Sequence, residues 1–244
     1  YGQLGIDSTT QQNTPQTVSF STNQIPKFVS VDSYSTCVIF EDSRAMCMGQ
    51  LYSWFSGSSS ALIMYTPEYL VRFSEIGKDE VSAGYYHTCA ILVNGSLKCM
   101  GYNFYGQLGS GSTTTQKAPQ TVNLGTGRTA VSVGSGRDHT CAVLDNGSLK
   151  CWGRNYYGEL GIGGTTGYGS QYTTPQAVDL GTGRTAVSVS SGQDHTCAIL
   201  DDDSLKCWGT NSSGQLGLGV STERSTPQTV NFGTGRTAVS VRAG

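Results

Sequence analysis

Pairs of cysteines set ten residues apart occur four times in this chain, as Cys37 and Cys47, Cys89 and Cys99, Cys141 and Cys151, and Cys197 and Cys207. The first members of successive pairs are 52, 52 and 56 residues apart. A second ruler, the series Pro15, Pro67, Pro119, Pro175 and Pro227, steps by 52, 52, 56 and 52. Both rulers carry the same four-residue insertion, which lies between Cys151 and Pro175 in "GIGGTTGYGSQYTT". That stretch is made of turn formers and polar residues and reads as an enlarged surface loop. Self-similarity at a fixed period restricts the chain to a repeat architecture, because a unit of this size cannot bury its apolar faces alone and must stack on copies of itself.

Each copy holds three short strand-like pieces, such as "AVSV" (130–133), "HTCAVL" (139–144) and "SLKCWG" (148–153), with a weaker fourth, "PQTV" (119–122). Turn segments such as "GTGR", "DNG" and "GQLG" bound them. Runs such as "CAVL" are apolar at consecutive positions, which suits a sheet covered on both faces. Four short antiparallel strands about every 52 residues predict an all-β fold, a β-propeller of four-stranded blades. The repeats divide as approximately 1–49, 50–101, 102–153 and 154–209, with a partial copy at 210–244, in one repeat domain.

The motifs resemble a known family. "GQLG" at 2–5, 106–109 and 214–217, "GELG" at 158–161, "HTCA" from 87, 139 and 195, and "CWG" from 151 and 207 are similar to the repeat of the regulator of chromosome condensation family. The resemblance implies a propeller closed by seven blades. At a period of 52, 244 residues hold about 4.7 repeats, so an incomplete propeller is expected, with a five-bladed closure as the alternative. Cut ends would expose unpaired strands and an uncovered blade face. The first repeat departs most: Ser35 replaces the histidine, and "GQLYSWFSGSS" suggests a rebuilt loop around Trp54.

The spacing of the cysteines is read through the hairpin "CAVLDNGSLKC" (141–151). If Asp145, Asn146 and Gly147 form a three-residue loop with Gly147 left-handed, Leu144 faces Ser148 and Cys141 faces Cys151. A two-residue Asn-Gly turn would instead set Cys141 opposite Trp152, out of bonding reach. In the other copies Gly95 and Asp203 suit the left-handed position, whereas Ser43 is less comfortable there. Four disulfides, 37–47, 89–99, 141–151 and 197–207, are expected on this pattern and would suit an oxidising compartment. Two alternatives stand beside them. Cysteine is also a small buried hydrophobe, and His139 shares a strand face with Cys141, near Cys151, in a weaker metal-site reading.

Composition narrows the function. Charged residues make up only 13% of the chain and the net charge is −2, with no run of lysine or arginine, so no footprint for a nucleic-acid backbone or an anionic membrane is present. No apolar stretch is long enough for a spanning helix. The histidines come one per repeat, which argues against a Ser/His/Asp set, and "GTGRT" lacks the Lys-Ser/Thr ending of a phosphate loop. No enzyme activity, cofactor, metal or small-molecule substrate is expected.

The remaining expectation is a protein-binding module whose variable loops, "SAGYY", "SGRD" and "SSGQD", recognise a partner through Tyr85, Tyr86, Arg137, Asp138, Gln193 and Asp194. Arg128, Arg184 and Arg236 recur in "GTGR" and would form a basic arc facing an acidic partner. The resemblance alone implies a second function, guanine-nucleotide exchange on a Ran-type GTPase. A third, a secreted enzyme inhibitor, is suggested by a propeller of similar repeats that inhibits β-lactamase. Disulfides favour an extracellular or secretory-lumen location, the exchange-factor reading a cytoplasmic or nuclear one. Three sequons, at Asn94, Asn146 and Asn211, permit N-glycosylation in a eukaryotic secretory route.

Overall fold

The computed structural model describes residues 4, 6, 8, 10–19, 25–31, 35–42, 45–51, 62–64, 76–164, 167 and 170–244. They form four four-stranded antiparallel sheets, each a meander taken in chain order. Blade 1 holds β1 (Pro26–Val31), β2 (Ser35–Phe40), β3 (Ala45–Leu51) and β4 (Leu62–Met64). Blade 2 holds β5 (Ile76–Ala83), β6 (His87–Leu92), β7 (Leu97–Gly101) and β8 (Gln116–Thr121). Blade 3 holds β9 (Ala130–Ser135), β10 (His139–Leu144), β11 (Leu149–Arg154) and β12 (Gln171–Ala177). Blade 4 holds β13 (Ala186–Ser191), β14 (His195–Leu200), β15 (Leu205–Gly209) and β16 (Arg224–Thr229). The molecule is thus the expected all-β propeller, with four described blades and no helix among the described residues. A blade starts at its inner strand, so it takes strands from two successive sequence repeats.

The core lies between blades. Along β10 every residue is buried, and alternate side chains serve different neighbours. Ala142 and Leu144 pack with Cys89, Ile91, Leu97 and Leu124 of blade 2 and its following loop. Cys141 and Val143 pack with Ala198, Leu200 and Trp208 of blade 4. Consecutive apolar residues therefore follow from a sheet with no solvent face. Trp152 and Trp208, both fully buried, fill the 2–3 and 3–4 interfaces, and Met100 takes the corresponding place between blades 1 and 2.

The hairpin takes the three-residue form. Leu144 N donates to Ser148 O at 2.9 Å and Gly147 N to Leu144 O at 2.8 Å, with Gly147 at φ 75°. Counting back along the ladder from that bonded pair, Cys141 and Cys151 face each other at a non-hydrogen-bonded position, where side chains stand closest. All four pairs are bonded as expected, 37–47, 89–99, 141–151 and 197–207, with Cα atoms 4.0–4.1 Å apart. Cys141 and Cys151 are thus committed to each other, and the His139 ring goes to Thr196. The first-repeat questions raised by Ser43 and Trp54 lie outside the described residues, as do the side-chain surroundings of Ser35.

Inner strands interlock by a serine device repeated around the arc. Ser30 Oγ accepts from Ala83 N, Ser82 Oγ from Ser135 N and Ser132 Oγ from Val189 N. Ser190 Oγ accepts from Ala243 N at 2.9 Å. Residues 238–244 therefore sit against β13 much as β13 sits against β9. The inner strands β1, β5, β9 and β13, with residues 242–244, border an open concave space of about 640 Å³ lined largely by valine and serine.

Candidate functional site

In a meander the loops joining strands 1–2 and 3–4 emerge at one end of the blade, and those joining 2–3 and 4–1 at the other. This topology separates the residues proposed from sequence into two groups. Tyr85, Tyr86, Arg137, Asp138, Gln193 and Asp194 occupy the 1–2 loops of blades 2, 3 and 4 at one end. Arg128, Arg184 and Arg236 sit in the 4–1 loops at the opposite end.

At that opposite end the arginines serve the turns. Arg128 pairs with Asp145 at 3.2 Å, and Arg184 pairs with Asp202 at 2.9 Å and Asp201 at 3.5 Å. Asp145 Oδ1 also accepts from Thr129 N at 3.1 Å, so these carboxylates tie each hairpin tip to the 4–1 loop before it. Arg236 is exposed.

The other end holds a continuous aromatic row. Tyr85, Tyr86, Tyr102, Phe104, Tyr105 and Tyr156 meet in sequence, with ring centroids 4.3, 5.9, 6.3, 5.1 and 5.7 Å apart. All but one of these contacts are edge-to-face, the arrangement aromatic quadrupoles favour, and Tyr102 stacks on Phe104. The row crosses from blade 2 to blade 3 because the 3–4 loops "YNFYGQLG" and "RNYYGELG" project their aromatics beside the 1–2 loops. A buried asparagine shapes the first of these loops: Asn103 Oδ1 accepts from Leu108 N at 2.9 Å, while its Nδ2 donates to Ser112 O and Thr114 O at 2.9 and 3.0 Å. Phe104 is 60% exposed.

Beneath the row lies a charged cluster. Arg154, only 5% exposed, donates Nε to Glu159 Oε1 at 3.0 Å and Nη1 pairs with Asp138 Oδ2 at 3.2 Å. Its Nη2 meets Asp194 Oδ1 of the next blade. Its guanidinium also lies 5.8, 5.3 and 5.7 Å from the ring centres of Tyr105, Tyr156 and Tyr157. Arg137 is half-exposed between Tyr85, Asp138 and Asp194. Burial pushes the Asp138 and Glu159 carboxyls up, and Arg154 opposes that rise in both. Burial, reinforced by Asp138 and Tyr105, lifts the Tyr102 phenol to about 12.

Of the residues named from sequence, Tyr85 and Tyr86 stand in the aromatic row and Arg137, Asp138 and Asp194 in the charged cluster, while Gln193 joins neither; Tyr102, Phe104, Tyr105, Arg154, Tyr156, Tyr157 and Glu159 were not singled out from sequence. One signal was available. In blade 3 two framework positions change together: Arg154 stands where other copies have Tyr102 and Thr210, and Glu159 where they have Gln107 and Gln215.

The histidines and their loops form the joints between blades. Thr140 Oγ1 donates to Gln107 O at 2.8 Å, and Trp152 Nε1 donates to the same carbonyl at 2.9 Å. Having one hydrogen, the Thr140 hydroxyl must accept from His87 Nε2, 2.8 Å away. His87 is therefore the neutral Nε2–H tautomer. Thr196, Trp208, Glu159 O and His139 repeat the arrangement between blades 3 and 4. Burial lowers the His87 pKa to about 3 and lowers those of His139 and His195 as well. His87 and His139 are thus structural joints, and His195 holds the same position in blade 4. Among the described residues no cluster of three metal-ligating side chains occurs.

The comparisons with known proteins agree with this construction. The regulator of chromosome condensation (RCC1) repeat model matches residues 94–143, 146–199 and 202–244, and a second model of the repeat matches 79–107, 130–159 and 186–215. The chain is 28% identical over 235 residues to the ultraviolet-B receptor UVR8 of Arabidopsis thaliana, covering 94% of this chain and 51% of that protein. It is 29% identical over 238 residues to the probable E3 ubiquitin-protein ligase HERC6 of Homo sapiens, covering 94% of this chain and 22% of that protein. It therefore spans about half the length of the first relative and a smaller part of the second. Among solved structures, Prp20p from Saccharomyces cerevisiae superposes with a TM-score of 0.75 at 17% identity, over 96% of this chain and 57% of that one. The CRINKLY WD40 ectodomain of the Arabidopsis thaliana receptor kinase ACR4 gives 0.50 at 17% identity, over 92% and 58%. The matched repeats contain the histidine, threonine, tryptophan and Gly-Gln/Glu-Leu-Gly residues that seat one blade on the next, and the chain belongs to the regulator of chromosome condensation repeat family.

Proposed function

We propose that this chain is a non-enzymatic protein-binding module working in an oxidising, extracytoplasmic compartment, and that its docking face is the end of blades 2 to 4 carrying Tyr85, Tyr86, Phe104 and Arg137. The observation that carries this reading is the aromatic row with Arg137 at its edge. Tyrosine and arginine dominate the energetics of protein interfaces, and here ring-on-ring packing and ion pairs hold them in place before any partner arrives, which lowers the ordering cost of binding. A solved structure of the yeast protein Prp20 bound to Kap60, and the described binding of Prp20p to Gsp1p and histones, show a protein of this fold acting as a protein binder. Four cross-strand disulfides support the compartment, as does the likeness to a receptor-kinase ectodomain.

The test uses the protein from its native source. A photo-crosslinking residue at Phe104 should capture a discrete protein partner, lost on Tyr85→Ala with Arg137→Ala, while one at Asp202 at the opposite end should not. Capture only from Asp202 would overturn the choice of face. Labelling of all eight cysteines without prior reduction would overturn the compartment.

A further inference from the structure

The three sequons have the same chemistry in sequence but different placements in the fold. Asn94 and Asn146 stand exposed at the tips of the 2–3 hairpins of blades 2 and 3. In each, the side-chain oxygen does the structural work: Asn94 Oδ1 accepts from Ser96 N at 2.9 Å, and Asn146 Oδ1 accepts from Ser148 N at 3.1 Å and Ser148 Oγ at 2.7 Å. Among the described residues neither Nδ2 donates a bond within the protein. Asn211 is the reverse. It is fully buried, its Oδ1 accepts from Leu216 N at 3.0 Å, and its Nδ2 spends both hydrogens on Val220 O and Thr222 O at 2.6 and 3.1 Å. It is the counterpart of Asn103, the residue that shapes the 3–4 loop of blade 2.

We propose that Asn94 and Asn146 are N-glycan acceptor sites of this protein and that Asn211 is not. The inference rests on the secretory route proposed above. The co-reactant is a polyprenyl-pyrophosphate oligosaccharide. The amide nitrogen Nδ2 forms a bond to the anomeric carbon and loses one proton to solvent. The bond from that carbon to the phosphate oxygen breaks, and the pyrophosphate leaves with the electron pair. The product keeps Oδ1 and one N–H, so the turn bonds at Asn94 and Asn146 survive modification. At Asn211 the same step would remove a buried donor and insert a sugar where there is no room, so a chain modified there could not seat its 3–4 loop.

The two acceptors lie on neighbouring blades at the end away from the aromatic row. Glycans there would screen the end that carries Arg128 and Arg184 and leave the docking face bare. One end would thus be hydrated carbohydrate and the other contact surface, which sets the orientation in which a partner approaches.

The experiment takes the protein from its native source, removes N-glycans with peptide-N-glycosidase in heavy-oxygen water, and maps the tagged residues, with cysteine labelling run on the same sample. The expected result is heavy aspartate at positions 94 and 146 only when the glycosidase is present, since Asn-Gly also deamidates in heavy-oxygen water on its own, none at 211, and unlabelled cysteines. Ser96→Ala and Ser148→Ala, which keep the turn asparagines, should each remove one of two mobility steps. Oxidised cysteines with no tag at 94 or 146 would overturn this inference and leave the secretory reading standing. A tag at 211 in the folded protein would also overturn it. Reduced cysteines with no tag would overturn both.

Discussion

Glycine is used here for two separate physical reasons, and single substitutions distinguish them. Gly84 needs no unusual backbone angle, but a Cβ there would stand 2.5 Å from Gly136 O of the next blade and 2.7 Å from His87 Cε1. Gly127 has φ 68° and open space around it. Gly84→Ala pushes a methyl into backbone that cannot move without parting two blades. It should cost about 2–4 kcal/mol, against roughly 1–2 kcal/mol for the left-handed penalty alone in Gly127→Ala. Urea unfolding of the two variants measures the gap. His87 offers a second test at this scale. Its neutral tautomer donates to Thr140 and its Nδ1 has no partner among the described residues, so an added proton finds no acceptor. With the folded pKa near 3 against 6.5 unfolded, the unfolded chain binds more protons in between. Stability is then full above pH 6.5 and falls as the pH drops through that window, by up to ~1.4 kcal/mol per pH unit for each such histidine. Asp138 and Glu159, raised in the folded state, act in the opposite sense. Comparing His87→Gln with the parent isolates the histidine: the variant's urea midpoint should change less between pH 7.5 and 4.5, and equal slopes would count against the assignment.

At the scale of the hairpin, three blades solve one backbone problem with two residue types. Gly95 and Gly147 hold the left-handed third loop position at φ 77° and 75°, and Asp203 holds it at φ 61°. Aspartate tolerates that region at a steric cost glycine avoids, although glycine loses more freedom on folding. Asp203→Gly should therefore stabilise blade 4 by up to about 1 kcal/mol, read as a rise in thermal midpoint. Much of this element was legible in the sequence, because a three-residue loop and a two-residue turn set different residues opposite Cys141, and the side-chain period of two leaves no intermediate. The strands "AVSV", "HTCAVL" and "SLKCWG" were legible for a similar reason, being apolar on both faces and bounded by turn formers. The fourth strand was weak in sequence because it is an edge: in β12 no residue is fully buried, so little apolar pattern is imposed on it.

Across the whole molecule, what repeats was readable, the motifs that seat one blade on the next included, and what arises only from the unlike loops of neighbouring blades was not. The aromatic row and the Arg154 cluster arise where loops of neighbouring blades meet, Tyr105 of blade 2 against Tyr156 of blade 3 and Arg154 of blade 3 against Asp194 of blade 4. No single blade contains those meetings, and residues as far apart as Tyr105 and Asp194 become neighbours of one guanidinium. The same geometry makes Arg154 a tie between blades, since Asp138 and Glu159 belong to blade 3 and Asp194 to the 1–2 loop of blade 4. Removing its charge but keeping its bulk, as in Arg154→Met, leaves Asp138 and Glu159 buried without their main counter-charge, a change that typically costs about 3–5 kcal/mol near neutral pH. The pH dependence of that cost separates electrostatics from packing. Burial already raises both carboxyls and Arg154 opposes the rise, so without it their folded pKa values climb further above the unfolded ones. A carboxyl of this kind binds its proton more tightly when folded, so its penalty grows as pH rises through the folded pKa and fades below it. The stability gap between Arg154→Met and the parent should therefore narrow from pH 7.5 to pH 5, measured by urea unfolding with the disulfides intact. A gap constant over that range would make Arg154 a matter of shape, and the rigidity of the proposed docking face would then rest on the ring contacts and the Asn103 loop bonds.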